Sequence, residues 1–442
     1  MSKRHRGKSE MVQRKLAPNL INERIGAPDV TGGAGAYRGE ILSYCFIFFY
    51  LVGIYMKKFN LKILLLLSLG HLVTDIYQGA LPAILPFLKE HLSLSYTMTG
   101  VILLAANFTS SLIQPLFGYF SDIREKPFLL PAGCLCAGIG FSLLSLPSSY
   151  AVVLVLVVIS GLGIASFHPE GYKTAANFTG EKPVTGMAVF SVGGNLGLAL
   201  GPIIAAYIIK YLGFSSLPVI IIPSLLFTLV ILFFWKKMTM GQEAVRKVVK
   251  DASYEISRAT YMSVFLLIGT VIMRSWIQMG LMSYIPFYYI NHLKGDPLYA
   301  SALVSVFLLG GAAGTLGGAP VADSLGHKRY LSISMFLATL VLPLIFVTKG
   351  LLLFVVLGLL GMIVISTFAV TVVMAQHLLP HNLGIASGLM VGFAIGAGGI
   401  CVTLLGVVAD HFGVPFALRS IAVLPLLGFI LSLMLRYPET GK

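Results

Sequence analysis

The segment that decides the fold reads Ser68-Leu69-Gly70-His71-Leu72-Val73-Thr74-Asp75-Ile76-Tyr77-Gln78 and lies within a longer apolar run, 61–88. A run of this length predicts a membrane-spanning helix. An ionised carboxylate near the centre of such a helix costs about 2.5–3.5 kcal/mol, so Asp75 needs a partner, water or a proton. His71, Asp75 and Gln78 are spaced i, i+4 and i+7 and therefore share one helix face. We expect that face to point into the protein.

The whole chain has the composition of a membrane protein with many spans. Of its 442 residues, 57% are hydrophobic and 11% are charged, whereas a soluble chain carries about 25% charged residues. The apolar runs do not alternate with a period of two, which favours a helix bundle over a closed barrel. Twelve spanning helices are predicted near 61–88, 97–120, 127–146, 150–172, 184–211, 216–236, 260–290, 299–322, 329–347, 350–378, 381–409 and 415–436.

The longest hydrophilic connection divides these helices into two groups of six. We predict an N-terminal lobe (60–236), a cytoplasmic linker (237–259) and a C-terminal lobe (260–437). Residues 1–59 are a basic extension, with a short apolar run that could be a signal-like segment, an extra helix or an upstream stretch outside the working protein. We favour the last interpretation, because Met56 begins a credible start just before the first regular helix.

The distribution of positive charge predicts the topology. Seventeen Lys and Arg residues fall in the loops on one side of the bundle and five in the loops on the other. By the positive-inside rule, both ends of the bundle are predicted to be cytoplasmic. The net charge of +14 follows from this bias and from the basic extension, so we do not expect a nucleic-acid partner.

Two turns of similar composition follow the second and the eighth predicted helices. Asp122 and Asp323 stand in them 201 residues apart, a period that suits the parallel halves of a two-lobed transporter. Both turns resemble the signature loop of the major facilitator superfamily, G-x-x-x-D-x-x-G-[RK]-[RK], although the second has Ala319 in place of the first glycine and the first has a shortened basic tail. The resemblance implies a cytoplasmic latch made of Gly118, Asp122, Arg124, Asp323, Gly326, Lys328 and Arg329. The alternative is a solvated turn that merely obeys the positive-inside rule.

Other stretches resemble the fosmidomycin resistance family within that superfamily. They are Ser68–Asp75, Gln114–Tyr119, Phe167–Glu170, Val192–Asn195, Leu200–Pro202, Ala375–Pro380 and Val407–His411. One departure is His377, which stands where that family carries an acidic residue, so the resemblance assigns no role to this side chain. The resemblance runs from about Leu61 to Arg436 and implies proton-coupled export of a drug-like molecule across a bacterial inner membrane.

Few residues within the predicted helices can carry a proton. Asp75 and Glu170 are the only acidic residues there, and a carboxylate in apolar surroundings takes up a proton readily. Glu170 has Lys173 at i+3, which is also the spacing of a simple ion pair. His71 and His168 lie beside these carboxylates and could relay protons or form plain hydrogen bonds between helices. Pro169 is expected to kink the fourth helix, either at a gate or only for packing.

Substrate contacts are expected from polar side chains in the same bundle. Amides can hydrogen-bond a polar substrate or join helices, and both interpretations stay open for Asn107 and Gln114. Arg274 could attract an anionic substrate, such as the phosphonate that the family resemblance implies, or pair with Asp75 or Glu170. The predicted substrate-binding residues are Gln78, Asn107, Gln114, Asn195, Arg274, Gln278 and Gln376.

The leading function is therefore a monomeric proton antiporter that exports a small, drug-like and anionic molecule, with protons, substrate and lipid as its partners. A proton-coupled importer or symporter of a phosphorylated or organic-anion metabolite is the same-fold alternative. The chain has no G-x-x-x-x-G-K-[ST] loop, so ATP-driven transport within it is not expected. A membrane metalloenzyme built on His71, Asp75, His168 and Glu170 is a remote alternative, since no metal-ligand motif is clustered in the sequence. We expect neither a metal nor another cofactor.

Overall fold

The computed structural model describes residues 59–94, 96–123, 127–250, 257–289, 293, 297–393 and 396–438. The predicted extension lies outside these residues except for Phe59, and so does Arg124 of the predicted latch. All the regular structure within the described residues is helical, as the sequence predicts.

The described residues form twelve helical segments. They are α1 (Leu61–His91), α2 (96–123), α3 (Leu129–Ser145), α4 (Tyr150–Ala176), α5 (Pro183–Leu212), α6 (214–250), α7 (Arg258–Phe287), α8 (Pro297–Leu325), α9 (His327–Phe346), α10 (Leu351–Leu378), α11 in two parts (Leu383–Phe393 and Gly398–Phe412) and α12 (Val414–Met434). Ten of them are long and apolar enough to span a membrane, whereas α3 and the two parts of α11 are shorter apolar helices. The predicted twelve-helix fold is confirmed.

The predicted linker is partly helical. Within α6, a 3-10 segment, Phe214–Ile221, is followed by the helix Ile222–Lys250. This helix therefore continues through the first part of the predicted linker, whereas residues 251–256 lie outside the described part of the chain. We keep the names N lobe for α1–α6 and C lobe for α7–α12, following the division proposed from the sequence repeat.

Within the N lobe, α1 packs against α5 along a row of glycines. Gly193, Gly197 and Gly201 lie against backbone carbonyls of Ser68, Leu72 and Ile76 so closely that a Cβ atom would clash at each position. Small residues at this spacing let two helix backbones approach, which helices in lipid use in place of a hydrophobic driving force. The close approach brings the backbone of α5 onto the face of α1 that carries Asp75.

The two lobes meet where α2 packs on α11 and α5 packs on α8. Both α2 and α11 contain a π-helical turn, Phe108–Leu112 and Leu389–Phe393, and these two turns contact each other. On the predicted cytoplasmic side of them, Gln114–Ile123 of α2 packs along Leu383–Gly388 of α11. A π-helical turn frequently marks a functional site. Here one lies on each side of the lobe interface.

Candidate functional site

The predicted carboxylate of α1 lies between two imidazole rings. His168 Nε2 on α4 is 3.0 Å from Asp75 Oδ1, and His71 Nε2 on α1 is 3.3 Å from Asp75 Oδ2. All three side chains are buried, each with about 4% of its surface exposed. The structure thus brings together three of the four predicted proton-coupling residues. We call them the Asp75 cluster.

The hydrogen bonds around the cluster decide which nitrogen atoms carry hydrogen. His71 Nδ1 is 3.0 Å from the backbone carbonyl of Phe190, which can only accept, so His71 Nδ1 is protonated. The amide of Gln114 donates from Nε2 to the carbonyl of Ser110 at 2.7 Å. The same Nε2 lies 3.4 Å from His168 Nδ1, so that nitrogen accepts, and His168 donates from Nε2 to Asp75.

One more proton is needed between His71 and Asp75. Because His71 Nδ1 holds a hydrogen, a neutral His71 presents a lone pair at Nε2 to Asp75 Oδ2. Two acceptors 3.3 Å apart repel each other unless a proton lies between them, on the carboxyl oxygen or on the imidazole. The geometry is therefore that of a carboxylate–imidazole pair sharing one proton, with His168 as a fixed neutral donor to the other carboxylate oxygen.

Helices α4 and α5 cover this pair. A Cβ atom added at Gly194 would lie 2.6 Å from Asp75 Oδ2 and closer still to His71 Nε2. The ring of Phe190 stacks on His71 with centroids 4.5 Å apart, and Tyr172 meets the same imidazole edge-on at 5.8 Å. The proton site therefore has an apolar, closely packed wall on the side of α5.

The Asp75 cluster also has the donor number of a metal site, since its three ligand atoms lie within 4.8 Å of one another. A metal-bound histidine usually donates its other N–H to a carbonyl or carboxylate. His71 meets that condition through Phe190, but His168 faces the NH₂ group of Gln114 instead. A metal would need the lone pair of His168 Nε2, where the hydrogen-bond network puts a hydrogen, so the donor set fits a proton better than a cation.

Glu170 lies apart from this cluster on α4. Its carboxylate is fully buried, with Oε1 4.0 Å from Lys173 Nζ and 3.5 Å from Thr174 Oγ1. Lys173 also donates a hydrogen bond to the carbonyl of Ser121 on α2. The contact with Lys173 agrees with the ion-pair alternative for Glu170.

Arg274 of α7 is buried, with 2% of its surface exposed. Its Nη1 donates to Gln278 Oε1 at 3.4 Å, and its guanidinium carbon lies 5.5 Å from the ring centroid of Phe368 on α10. Nε and Nη2 have no hydrogen-bond partner among the described residues. The alternative pairing of Arg274 with Asp75 or Glu170 is not found in this conformation, because Asp75 is occupied by two histidines and Glu170 faces Lys173.

The other predicted substrate contacts do not form one site. Gln78 and Asn107 line a cavity of about 100 Å³ inside the N lobe, together with Tyr77 and Phe141. Gln114 contacts His168 instead, and Asn195 is exposed on α5.

Gln376 is buried and donates to Ser387 Oγ at 2.9 Å and to the Tyr172 carbonyl at 3.3 Å, so it joins α10 to α11 and α4. Only Gln278 accompanies Arg274.

The two repeat aspartates each cap a helix of the opposite lobe. Asp122 accepts from the backbone amides of Gly384 and Ile385 at 2.8 and 2.9 Å. Asp323 accepts from the amides of Val184 and Thr185, both at 2.9 Å, and from Thr185 Oγ1 at 2.6 Å. A carboxylate at a helix N-terminus satisfies free N–H groups and the positive end of the helix dipole. These bonds join the N-termini of α11 and α5 to the lobe on the other side.

The remaining predicted latch residues surround these caps. Gly118 lies against Gly384, where a Cβ atom would come within 2.6 Å of the Gly384 carbonyl carbon. Gly326 has φ +97° and precedes α9, a left-handed conformation that favours glycine. Lys328 is half-buried and Arg329 is exposed at the start of α9.

One polar cluster near the latch was not predicted from the sequence. His327 Nδ1 and His377 Nδ1 lie 2.9 and 2.6 Å from the hydroxyl of Tyr437, and His327 Nε2 is 3.7 Å from Asp323 Oδ1. Burial raises the pKa of Tyr437, so the phenol stays protonated at neutral pH and can donate to one imidazole while it accepts from the other. This contact gives His377 a structural partner. Nothing in the local sequence around Tyr437 indicates it.

Comparisons with known proteins agree with this architecture. The family model described as Major Facilitator Superfamily matches residues 67–293 and 264–442. The MFS-type transporter YfnC of Bacillus subtilis is 33% identical over 84% of this chain and 92% of its own length. The fosmidomycin resistance protein of Escherichia coli is 33% identical over 82% of this chain and 90% of its own length.

Solved structures show the same fold at low sequence identity. The transporter FucP in the outward conformation has a TM-score of 0.65 at 13% identity, with 85% of this chain and 99% of that one covered. The human organic anion transporter MFSD10 also has a TM-score of 0.65, at 17% identity, with 84% and 98% covered. At these identities the likeness concerns the fold alone.

Proposed function

This chain belongs to the major facilitator superfamily and is a multi-pass membrane transporter, and we propose that it exports a small, anionic, drug-like molecule across the bacterial inner membrane in exchange for protons. The resistance named for the 33% identical Escherichia coli relative supports export of a fosmidomycin-like compound. The positive-inside bias supports cytoplasmic ends of the bundle.

The observation that carries the proposal is the guanidinium of Arg274, which has no acidic partner within the described part of the chain. A buried charge is normally neutralised by a partner, because leaving water is costly. Arg274 instead has an aromatic ring beside its guanidinium and one long bond to Gln278. The two nitrogens without a partner, Nε and Nη2, form one edge of the planar group. That edge can bind two oxygens of a carboxylate or a phosphonate in parallel.

The Asp75 cluster supplies the proton side of the exchange. Its shared proton lies between groups that are buried on α1, and the pair can exist with or without that proton. The ring of Tyr172 on α4 lies 5.8 Å from the His71 ring and 6.2 Å from the ring of Phe368, and the guanidinium of Arg274 lies 5.5 Å from that Phe368 ring. Two aromatic rings therefore connect the two charged sites. A negative substrate at Arg274 and a proton at Asp75 would each change the charge that the other experiences.

Alternating access then links the two events. With Asp122 and Asp323 capping α11 and α5, the lobes are held together at the predicted cytoplasmic end. We propose that Asp75 takes up its proton from the outer side in this arrangement. Opening of the capped end releases the proton inward and lets the anion reach Arg274 from the cytoplasm. The return step carries the anion out.

Inverted membrane vesicles test this proposal. After respiration has acidified the vesicle interior, added fosmidomycin should release protons from wild-type vesicles and not from vesicles without the protein. Cells that lack other exporters should also become more tolerant of the drug when they make the protein. A drug that neither dissipates the gradient nor changes tolerance would rule out the exporter. Substrate accumulation by right-side-out vesicles would support the importer alternative.

A further inference from the structure

Gln114 was predicted as a substrate contact, but its contacts place it between the proton site and the lobe interface. On one side, its Nε2 donates to the Ser110 carbonyl at 2.7 Å and lies 3.4 Å from His168 Nδ1. On the other side, it meets α11 of the C lobe. A Cβ atom at Gly392 would come within 2.8 Å of Gln114 Cδ and closer still to its Cβ. The side chain is 3% exposed.

The bond to Ser110 fixes the direction of the amide. If the amide were turned over, Gln114 Oε1 would face the Ser110 carbonyl at 2.7 Å, with two acceptors in contact. The observed orientation leaves Gln114 Oε1 without a hydrogen-bond partner among the described residues and aims the NH₂ group at His168. An imidazolium at His168 would bring two donors together at Nδ1. Gln114 therefore favours the neutral form of His168 that donates to Asp75.

The C lobe holds this amide in place. Gly392 lies in the π-helical turn of α11, Leu389–Phe393, and Gln114 begins the α-helix that follows the π-helical turn of α2. Gly388 also contacts the backbone carbonyl of Gln114, since a Cβ atom there would be 2.7 Å away. When α2 and α11 separate, the wall that confines the Gln114 side chain is removed.

We infer that Gln114 is a positioning residue that couples closure of the α2–α11 interface to the protonation of the Asp75 cluster. While the interface is packed, Gln114 keeps His168 neutral, and the mobile proton of the cluster is the one between His71 and Asp75. When the interface opens, Gln114 is free to turn, so that His168 can take up the proton that Asp75 and His71 give up and pass it to the cytoplasmic side. This inference rests on the proposed proton-coupled function.

The surroundings of His168 contain few other groups that titrate. Asp75 and His71 face it from α1, Tyr172 lies on its own helix, and Arg274 of α7 contacts Phe368, which lies beside Tyr172. Glu170 and Lys173 also lie on α4, where they pair with each other. From α2, α5 and α11 the neighbours named above are an amide, a backbone carbonyl and glycines, which do not titrate. A change at position 114 therefore acts on the cluster through His168.

The pH profile of drug-driven proton release in inverted vesicles tests the inference. Gln114→Leu removes the donor that opposes an imidazolium, and Gln114→Glu replaces it with a group that favours one. We expect the pH of half-maximal transport to rise by about half a unit in Gln114→Leu and by about one unit or more in Gln114→Glu. Ser111→Ala, which changes the same interface beside Gly396, should keep the wild-type profile.

A second pair of variants tests the coupling to the C lobe. Gly392→Ala places a methyl group against Gln114 and against the backbone carbonyl of Ser111. Because it displaces the Gln114 side chain, it should shift the pH profile in the same direction as Gln114→Leu. Gly396→Ala is the matched control, since its methyl group meets Ser111 and Leu112 at 3.3 Å or more. Identical profiles for Gly392→Ala and wild type would overturn the coupling.

Nitrogen NMR of the histidines gives a readout that does not require transport. The chain has nine histidines, and loss of a signal in His168→Gln assigns His168. At neutral pH, purified wild-type protein should show His168 with hydrogen on Nε2 only, and Gln114→Glu should show an imidazolium. Unchanged His168 signals in both position-114 variants would overturn the inference. Absence of drug-driven proton release in wild-type vesicles, with the NMR shift present, would instead reject the proposed function alone.

Discussion

Asp75 in the N lobe and Arg274 in the C lobe are both buried, but they differ in how many hydrogen-bond partners the protein gives them. Both oxygens of Asp75 have a nitrogen partner within 3.3 Å. Arg274 has one long bond, and an entire edge of its guanidinium has no partner among the described residues. A buried carboxylate with imidazole partners, such as Asp75, can hold a proton without a bound ligand. A buried charge without such partners is costly, and a ligand of opposite sign lowers that cost.

The largest expected effect comes from Asp75→Asn. By the hydrogen-bond network, the new side-chain amide would accept from His168 and donate from its NH₂ group to His71 Nε2, which copies the protonated carboxyl group. We expect wild-type thermal stability but loss of drug-driven proton release, at least about 100-fold, because an amide cannot exchange the proton. Proton flux in inverted vesicles and a thermal melt of the purified protein measure both results.

Asp410→Asn is the matched control, since Asp410 is exposed near the end of α11. It should leave the flux unchanged. Wild-type proton release by Asp75→Asn would remove Asp75 from the coupling mechanism and leave the fold intact. A large loss of stability in that variant would show that the shared proton has been placed wrongly.

The second-largest effect is expected at Arg274. Arg274→Gln removes at least one charge-assisted hydrogen bond to the anion, worth about 1.5–3 kcal/mol, so the KM for an anionic substrate should rise at least about tenfold. Arg274→Lys keeps the charge but not the planar edge, so it should restore only part of the affinity. Both values come from initial rates of drug-driven proton release at increasing drug concentration.

Arg419→Gln controls for loss of a positive charge, because Arg419 is exposed and lies over the Phe346 ring. Equal KM values for wild type and Arg274→Gln would mean that the unpaired edge does not bind substrate. Full rescue by Lys would show that charge alone, and not the fork of donors, attracts the anion.

The third effect displaces the neighbours of Asp75 without changing a charge. Gly194→Ala places a methyl group 2.6 Å from Asp75 Oδ2, so α5 must move away from α1. Such overpacking typically costs about 1–3 kcal/mol, and we expect a lower melting temperature together with proton release that is reduced about tenfold. Gly317→Ala on α8 has nothing within 4 Å of its new methyl group and should match wild type. A normal flux in Gly194→Ala would show that the pair tolerates displacement.

These contrasts also show what the sequence can predict. Runs of apolar residues predict the twelve helices because lipid requires helical backbone pairing within each span. The i, i+4 spacing predicts that His71 faces Asp75, since both lie on one helix. The contact of His168 with Asp75 joins residues 93 positions apart, so the sequence can name both residues as candidates but not their distance. The role of Gln114 depends on α11 and could not be read from helix 2 alone.

The smallest expected effect concerns the two helix caps that hold the lobes together in this conformation. Both oxygens of each carboxylate accept a backbone N–H, and the NH₂ group of Asn cannot accept, so Asp122→Asn and Asp323→Asn each lose the charge and at least one hydrogen bond. The loss of one such bond typically costs about 0.5–1.5 kcal/mol, a two- to tenfold shift in an equilibrium. Hydrogen exchange of the capped amides, Gly384 and Ile385 for Asp122 and Val184 and Thr185 for Asp323, measures that shift directly. If the lobes move as rigid bodies, either substitution accelerates exchange at both caps. If exchange accelerates only at the cap of the substituted aspartate, the two caps open independently. In that case, packing of α2 on α11 would couple the Asp75 cluster to the Asp122 cap alone and not to closure of the whole interface.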